Sequence, residues 1–232
     1  MKKKVKLSTD KLKREKRIKR ILKIILLLIL LLLLLSYFVI GIIYNSGNFS
    51  ITLDKNLYFN KGLIVYDDSE YKVYRSELLA KAPNTFDNIS STWLPRDLDE
   101  RGGGSHNGDN YLAYTFFVEN TGDEVSDYWS EVIIDDAIKG VDDAIRIRVY
   151  RNGEYVTYAK LSQMGTPEPN TVPFQEERLV VREHVANFQP GDLDRYTIVL
   201  WVEGTDPECT DNILGGEFKV HMAFNSEHME EN

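Results

Sequence analysis

The chain has 232 residues, with 28 basic and 36 acidic side chains and a formal net charge of −8. An acidic chain is repelled by nucleic acid, so we expect no nucleic-acid partner. The chain has a single cysteine, Cys209, which excludes an intrachain disulfide. We expect this residue to be a small buried apolar side chain.

The N-terminus joins a basic block to an apolar run. Residues 1–23 hold 12 Lys or Arg and 2 acidic residues, a net charge of +10. Residues 24–43 (IILLLILLLLLLSYFVIGII) contain no charged residue. At about 1.5 Å per residue this run spans roughly 30 Å, the thickness of a bilayer's hydrocarbon core. Because basic flanks stay in the cytoplasm, the sequence predicts a basic cytoplasmic segment over 1–23, a transmembrane signal anchor over 24–43 and an extracytoplasmic domain over 44–232.

The lack of cystines in an exported domain is typical of a bacterial protein, so we expect a single-pass protein of the bacterial plasma membrane. The apolar run is longer than the roughly 7–15 residues of a signal-peptide core, and no small-residue cleavage site follows it. Cleavage near Ser46 to Asn48 is the alternative. Residues 24–232 hold 16 basic and 34 acidic residues, a net charge of −18. Such a domain attracts cations or basic partners.

Strand signals begin directly after the anchor. Phe49, Ile51 and Leu53 alternate with polar residues, which predicts a strand. Further strands are predicted over 57–66 and 71–79, the second turning helical near its end. Residues 95–110 are polar and rich in glycine, but a strand rather than a helix follows them. A phosphate cradle is therefore disfavoured, and we expect flexible chain there.

The C-terminal half shows stronger strand signals. Strands are predicted over 111–119, 128–134, 144–151, 154–160, 196–202 and 218–224. Asn152-Gly153 predicts a type I′ hairpin, because both positions then take a positive φ. Residues 136–143 indicate a turn or short helical excursion. Nine or ten strands with little helix predict a mostly β fold, an antiparallel β-sandwich or jelly roll preceded by a single transmembrane helix.

Three segments resemble the TasA/camelysin family of Gram-positive surface and biofilm-matrix proteins. They are AYTFFVENTG (Ala113 to Gly122), VDDAIRIRVYRNG (Val141 to Gly153) and the stretch from Gly191 to Phe224 that contains WVEGTDPECTDN. The likeness covers roughly Tyr111 to Phe224. It implies a jelly-roll domain, export and, for some members, fibre assembly by strand exchange.

Camelysin is described as a metalloprotease, which raises the question of zinc. The His-Glu-x-x-His motif of the common zinc proteases is absent from this sequence. We therefore predict solvated or hydrogen-bonded histidines rather than zinc ligands, and no catalytic site. This interpretation applies to His106, His184, His221 and His228.

One loop, GTDPECTDN, offers oxygen ligands at spaced positions. Asp206, Glu208 and Asp211 form a weak calcium candidate. The same residues are ordinary in a turn between two strands. A second acidic set is an alternative divalent site or a solvated turn, and comprises Asp135, Asp136, Asp142 and Asp143.

Three kinds of function follow. We favour a membrane-anchored structural or interaction protein without enzymatic activity, whose partner is a cell-surface or matrix protein or a second copy joined by strand exchange. A calcium- or glycan-binding surface module is the alternative, with Trp93, Trp129 and Trp201 as candidate sugar platforms. A camelysin-like metalloprotease is the third and least supported. No cofactor is predicted apart from the weak calcium candidate.

Overall fold

The computed structural model describes residues 2–44, 49–68, 70, 72, 75–81, 83 and 86–226. The chain divides into two compact units, Met1–Ser46 and Gly47–Asn232. The first unit contains helix α1 (Lys2–Tyr44), whose stretch Lys13–Ile40 is long and apolar enough to cross a membrane. Every side chain in that stretch is exposed. A helix that is apolar on all sides needs an apolar environment, in agreement with the membrane span predicted over 24–43.

The second unit is mostly β, as predicted. Its described residues form twelve strands and one short α-helix. The strands are β1 (Phe49–Leu53), β2 (Leu63–Tyr66), β3 (Glu77–Ala80), β4 (Gly104–Ser105), β5 (Tyr111–Asn120), β6 (Ser126–Ala137), β7 (Ile145–Arg151), β8 (Glu154–Ala159), β9 (Val172–Pro173), β10 (Leu179–Phe188), β11 (Leu193–Val202) and β12 (Phe218–Asn225), and the helix is α2 (Lys55–Lys61). Three 3-10 turns cover Ser91–Trp93, Val141–Asp143 and Asp211–Ile213.

The strands form two sheets in a sandwich-like arrangement. Sheet A has the order β10-β6-β12-β1-β3, and sheet B has the order β2-β5-β11-β7-β8-β9 with β4 also paired to β5. Most pairs are antiparallel, but β1 pairs with β12 and β8 pairs with β9 in parallel. The β-sandwich prediction is confirmed, and the sheets are mixed rather than wholly antiparallel. Long connections separate the strands of each parallel pair, which a parallel arrangement requires.

The main apolar core lies between the two sheets. Phe49, Ile51 and Leu53 point into it, because alternate residues of a strand face the same side. A second, smaller cluster covers the opposite face of sheet B, where Leu98 packs near Trp201 and Val199. Strand β11, which includes the strand predicted over 196–202, is therefore buried on both faces along most of its length.

A polar hub at Asp194 joins the two sheets. The Asp194 carboxylate accepts hydrogen bonds from the hydroxyl of Tyr128 on β6, from Nε and Nη2 of Arg151 at 3.1 and 2.8 Å, and from Nδ2 of Asn152 at 2.6 Å. The hydroxyls of Tyr128 and Tyr196 lie 3.0 Å apart. Burial raises the pKa of Tyr196 to about 12, so its hydroxyl keeps its proton. The Asp194 carboxylate and the hydroxyls of Tyr128 and Tyr196 thereby all have hydrogen-bond partners.

Two turns predicted from the sequence are present in the structure. Asn152 has φ 52° and Gly153 has φ 91°, and Arg151 pairs with Glu154 across them. The type I′ hairpin prediction is confirmed. The excursion predicted over 136–143 is also confirmed, since Val141–Asp143 forms a 3-10 turn.

Two predictions about strands need correction. The first part of the strand predicted over 57–66 is helix α2, because Asp54 accepts a hydrogen bond from the Asn56 N–H and Gly62, at φ 71°, ends the helix. In the segment 71–79, β3 is strand to its end rather than helical, and Tyr71, Val73 and Tyr74 lie outside the described residues.

The glycine-rich loop is more ordered than the flexible chain predicted there. Gly104–Ser105 pairs with β5. Gly103 lies so close to the carbonyl of Asp67 that a Cβ atom would stand 2.1 Å from its oxygen. Close packing, rather than flexibility, explains this glycine.

Candidate cation site

The loop after β11 places two of the predicted calcium ligands side by side. Asp206 and Glu208 stand in a tight turn, where Asp206 Oδ1 accepts a hydrogen bond of 2.8 Å from the Glu208 N–H. The turn is anchored by Glu203, which accepts from Trp201 Nε1 at 3.0 Å and from the Ser91 N–H at 3.0 Å. Burial opposes ionisation of Glu203, but these hydrogen bonds outweigh it and hold its pKa below the ordinary value.

The loop between β8 and β9 supplies a third carboxylate, that of Glu168. Oxygen atoms of Glu168, Asp206 and Glu208 all lie within 4.8 Å of one another. Glu168 and Asp206 are buried, with 7% and 5% of their surface exposed. The structure thus brings together Asp206 and Glu208 as predicted, and adds a distant residue that sequence reasoning missed.

The third predicted ligand, Asp211, does not belong to this group. It is exposed and begins the 3-10 turn Asp211–Ile213. The second acidic set is also divided: Asp142 and Asp143 pair with Lys160 at 2.8 and 2.7 Å, and Asp135 lies 2.8 Å from His221.

Arg146 supplies the positive charge inside the cluster. Its Nη2 donates to Glu168 Oε2 at 3.2 Å and to Asp206 Oδ2. Glu208 Oε1 accepts from the Gln163 N–H at 3.1 Å, whereas Glu208 Oε2 is buried without a hydrogen-bond partner. Three carboxylates and one guanidinium carry a net charge of −2 when all are ionised. Burial, and next the charge of Asp206, raise the pKa of Glu168 above its usual range.

The excess negative charge of this cluster can be neutralised in two ways. A buried excess of negative charge is costly unless it is neutralised by a proton or a cation. Carboxylate oxygens are hard ligands suited to Ca²⁺, which takes about 6–8 oxygen atoms. The three side chains could supply part of such a set, in competition with the Arg146 guanidinium. Protonation of Glu168 is the other route to neutrality.

The described histidines do not gather into a metal site. His106 Nε2 lies 2.9 Å from Thr115 Oγ1, His184 stacks on Trp129 with ring centroids 4.5 Å apart, and His221 contacts Asp135. These contacts agree with hydrogen-bonded or solvated histidines. His228 lies outside the described residues.

The candidate sugar platforms differ in exposure. Trp201 is 1% exposed and belongs to the apolar cluster on sheet B, Trp129 is half-buried against His184, and Trp93 is 73% exposed. Only Trp93 of the three therefore presents a largely open ring. Cys209 is half-buried, and its Sγ accepts a hydrogen bond of 3.3 Å from Asn88 Nδ2.

No protein family and no curated protein matches the chain. A solved structure of a β-glucosidase from Kluyveromyces marxianus in complex with glucose matches with a TM-score of 0.24 and 10% identity, covering 69% of this chain and 15% of the other. A TM-score that low carries no argument about fold or activity.

Proposed function

We propose that this protein is a membrane-anchored, extracytoplasmic structural or interaction protein of the bacterial cell surface or biofilm matrix, without enzymatic activity. The observation that carries the proposal is the order of three parts in one chain. A basic block precedes an exposed apolar helix, and an acidic β-sandwich follows. The positive-inside rule then leaves the sandwich outside the cytoplasm.

The sandwich supports a binding role more than a catalytic one. In its two buried polar clusters, the charged groups are paired with one another: Arg151 with Asp194, and Arg146 with Asp206. Its sheets end in edge strands, to which an extended segment of a partner can add. The resemblance over Tyr111 to Phe224 to surface and matrix proteins favours the same role.

Membrane topology is the first test. A C-terminal tag on the full chain should be removed by protease added to intact cells. A control variant in which the Lys and Arg residues of 11–23 are replaced by Gln should protect part of the tag, because those charges set the orientation. A tag on the native chain that resists protease until the cells are lysed would contradict the proposal.

Cation binding is a second candidate function, favoured by the clustered carboxylates of Glu168, Asp206 and Glu208. A cation that binds only the folded state stabilises it by about 2.7 kcal/mol at a hundredfold excess over Kd. Millimolar CaCl₂ should therefore raise the Tm of the native protein and of the control Asp211→Asn. Glu208→Gln should abolish the increase. Equal melting of all three proteins with and without calcium would exclude a site here.

A further inference from the structure

Strand β10 ends sheet A, so no strand in the described part of the chain pairs with the outer side of its main chain. In an antiparallel pair, the N–H and C=O of alternate residues point to the partner strand and those of the others point away. Arg182 is of the second kind, because its N–H and C=O bond to the side chain of Gln175 instead of to β6. The register between Arg182 and Val185 is regular, so the main chain of His184 also points outward.

Gln175 takes the place that a residue of an added strand would occupy. Its Oε1 accepts from the Arg182 N–H at 3.0 Å and its Nε2 donates to the Arg182 C=O at 3.4 Å. Its own N–H donates to the C=O of Val180 at 3.2 Å. One amide side chain thus satisfies the outward donor and acceptor of Arg182. The main chain of His184, two residues further on, has no hydrogen-bond partner on that side within the described part of the chain.

The usable part of this edge is short. Register shifts interrupt the pairing of β10 with β6 between Leu179 and Val181 and between Val185 and Phe188. At the second shift Asn187 has φ 59°, which turns the strand away from a regular edge. Between the two shifts, Arg182 and His184 offer two N–H and two C=O groups to a partner. That is enough for an added segment of about five residues.

The negative charge of Glu183 limits which strands can pair with this edge. Glu183 is exposed and alternates with Arg182 and His184 along the strand. In a symmetric pairing of two copies that joins Arg182 to His184 of the second copy, the two Glu183 carboxylates would stand directly opposite each other. Like charges in that position are unfavourable, so a second copy is a poor occupant. A segment with Lys or Arg opposite Glu183 is complementary in charge to this carboxylate. It is also attracted by the net charge of −18 on residues 24–232.

The solvent side of the same edge offers an aromatic surface. The rings of Trp129 and His184 stack with an interplanar angle of 25°, on the side of the sheet opposite to Glu183. An aromatic residue opposite His184 would extend this stack. The edge therefore favours an aromatic residue next to a cationic one in the partner.

We propose that the outer edge of β10 at Arg182 and His184 is a strand-addition site for an extended, cationic segment of another protein, and that the Gln175 side chain keeps this edge closed until such a segment displaces it. This inference rests on the proposed interaction function and names the class of partner. The Gln175 amide competes with the incoming main chain for the same two groups of Arg182.

The test uses the full chain in detergent micelles and a blocked peptide, Thr-Tyr-Lys-Thr-Thr, in which Lys lies opposite Glu183 and Tyr opposite His184. Amide NMR shifts on titration should concentrate at Arg182 and His184. Gln175→Ala should tighten binding about fivefold to tenfold, because the peptide no longer displaces two hydrogen bonds. Gln189→Ala is the matched control, since Gln189 Nε2 bonds to the main chain of Asn187 outside this edge, and it should leave the affinity unchanged.

Two further arms separate strand addition from general attraction. The Glu183→Lys variant should no longer bind the peptide with Lys at its third position. It should instead bind a peptide with Glu at that position. N-methylation of the peptide at Tyr and at the fourth residue should abolish binding, because it removes the N–H groups that face β10. An affinity that is unchanged by Gln175→Ala and by N-methylation of the peptide would overturn the inference. So would the absence of an amide shift at His184 when the peptide is added to the Gln175→Ala variant. The topology test above is independent, so failure of either idea is recognisable by itself.

Discussion

Removal of the Asp194 carboxylate should destabilise the sandwich more than any single surface change. The side chain of Asp194 is 6% exposed and accepts four hydrogen bonds, two of them from Arg151. Breaking a buried ion pair by removing one partner costs about 3–5 kcal/mol. Arg151 is 34% exposed and can be rehydrated, and Tyr128 keeps its contact with Tyr196, so we expect the lower end, about 3 kcal/mol.

For a domain of this size, about 3 kcal/mol corresponds to a decrease in Tm of roughly 6–12 °C. The assay is thermal unfolding of the full chain in detergent micelles, followed by tryptophan fluorescence, for Asp194→Ala. Asp192→Asn is the control: Asp192 is exposed and accepts a hydrogen bond from the Gln189 N–H, so its change should cost less than about 1 kcal/mol. If the Tm of Asp194→Ala were within 2 °C of the native value, the loss of unfolding free energy would be about 1 kcal/mol or less. The hydrogen bonds of Asp194 would then not stabilise the sandwich as argued.

Other predictions concern packing and pH. Gly103→Ala should cost about 1–3 kcal/mol by thermal unfolding, because the new Cβ meets the main chain of Asp67, whereas Gly102→Ala, with no atom within 4 Å, should be neutral. The raised pKa of Glu168 means that the folded state binds its proton more tightly than the unfolded state. Without added cation, stability should therefore fall as pH rises above the ordinary glutamate pKa of 4.5, and Glu168→Gln should flatten that part of the Tm profile. The pKa of about 12 for Tyr196 predicts lost stability as pH rises from 10 towards 12, accompanied by delayed tyrosinate absorbance. Unfolding curves that do not change over these two pH ranges would contradict the last two expectations.

Patterns that depend on neighbouring residues could be read directly from the sequence. The apolar helix follows from an uninterrupted run of leucine and isoleucine. The β7–β8 hairpin follows from Asn152-Gly153, because few other dipeptides accept a positive φ twice. The burial of β11 on both faces follows from its continuous apolar sequence. In each case a short segment contains the whole physical cause.

The errors arose where local signals compete. A strand was predicted from residue 57 onward, but the caps at Asp54 and Gly62 stabilise a helix over Lys55–Lys61. Gly103 looked flexible in sequence because its constraint comes from Asp67, which is distant along the chain. Propensity is a weak guide when capping and packing outweigh it.

The sequence by itself determined the long apolar helix, the acidic β-rich domain and most strand positions, since each depends on composition and on periodicity among nearby residues. Tertiary structure alone decided which charges meet. It placed Glu168 with Asp206 and excluded Asp211, and it placed the Gln175 amide on the open edge of β10. Those contacts depend on the order of strands in two sheets, which long-range pairing sets and no local pattern contains.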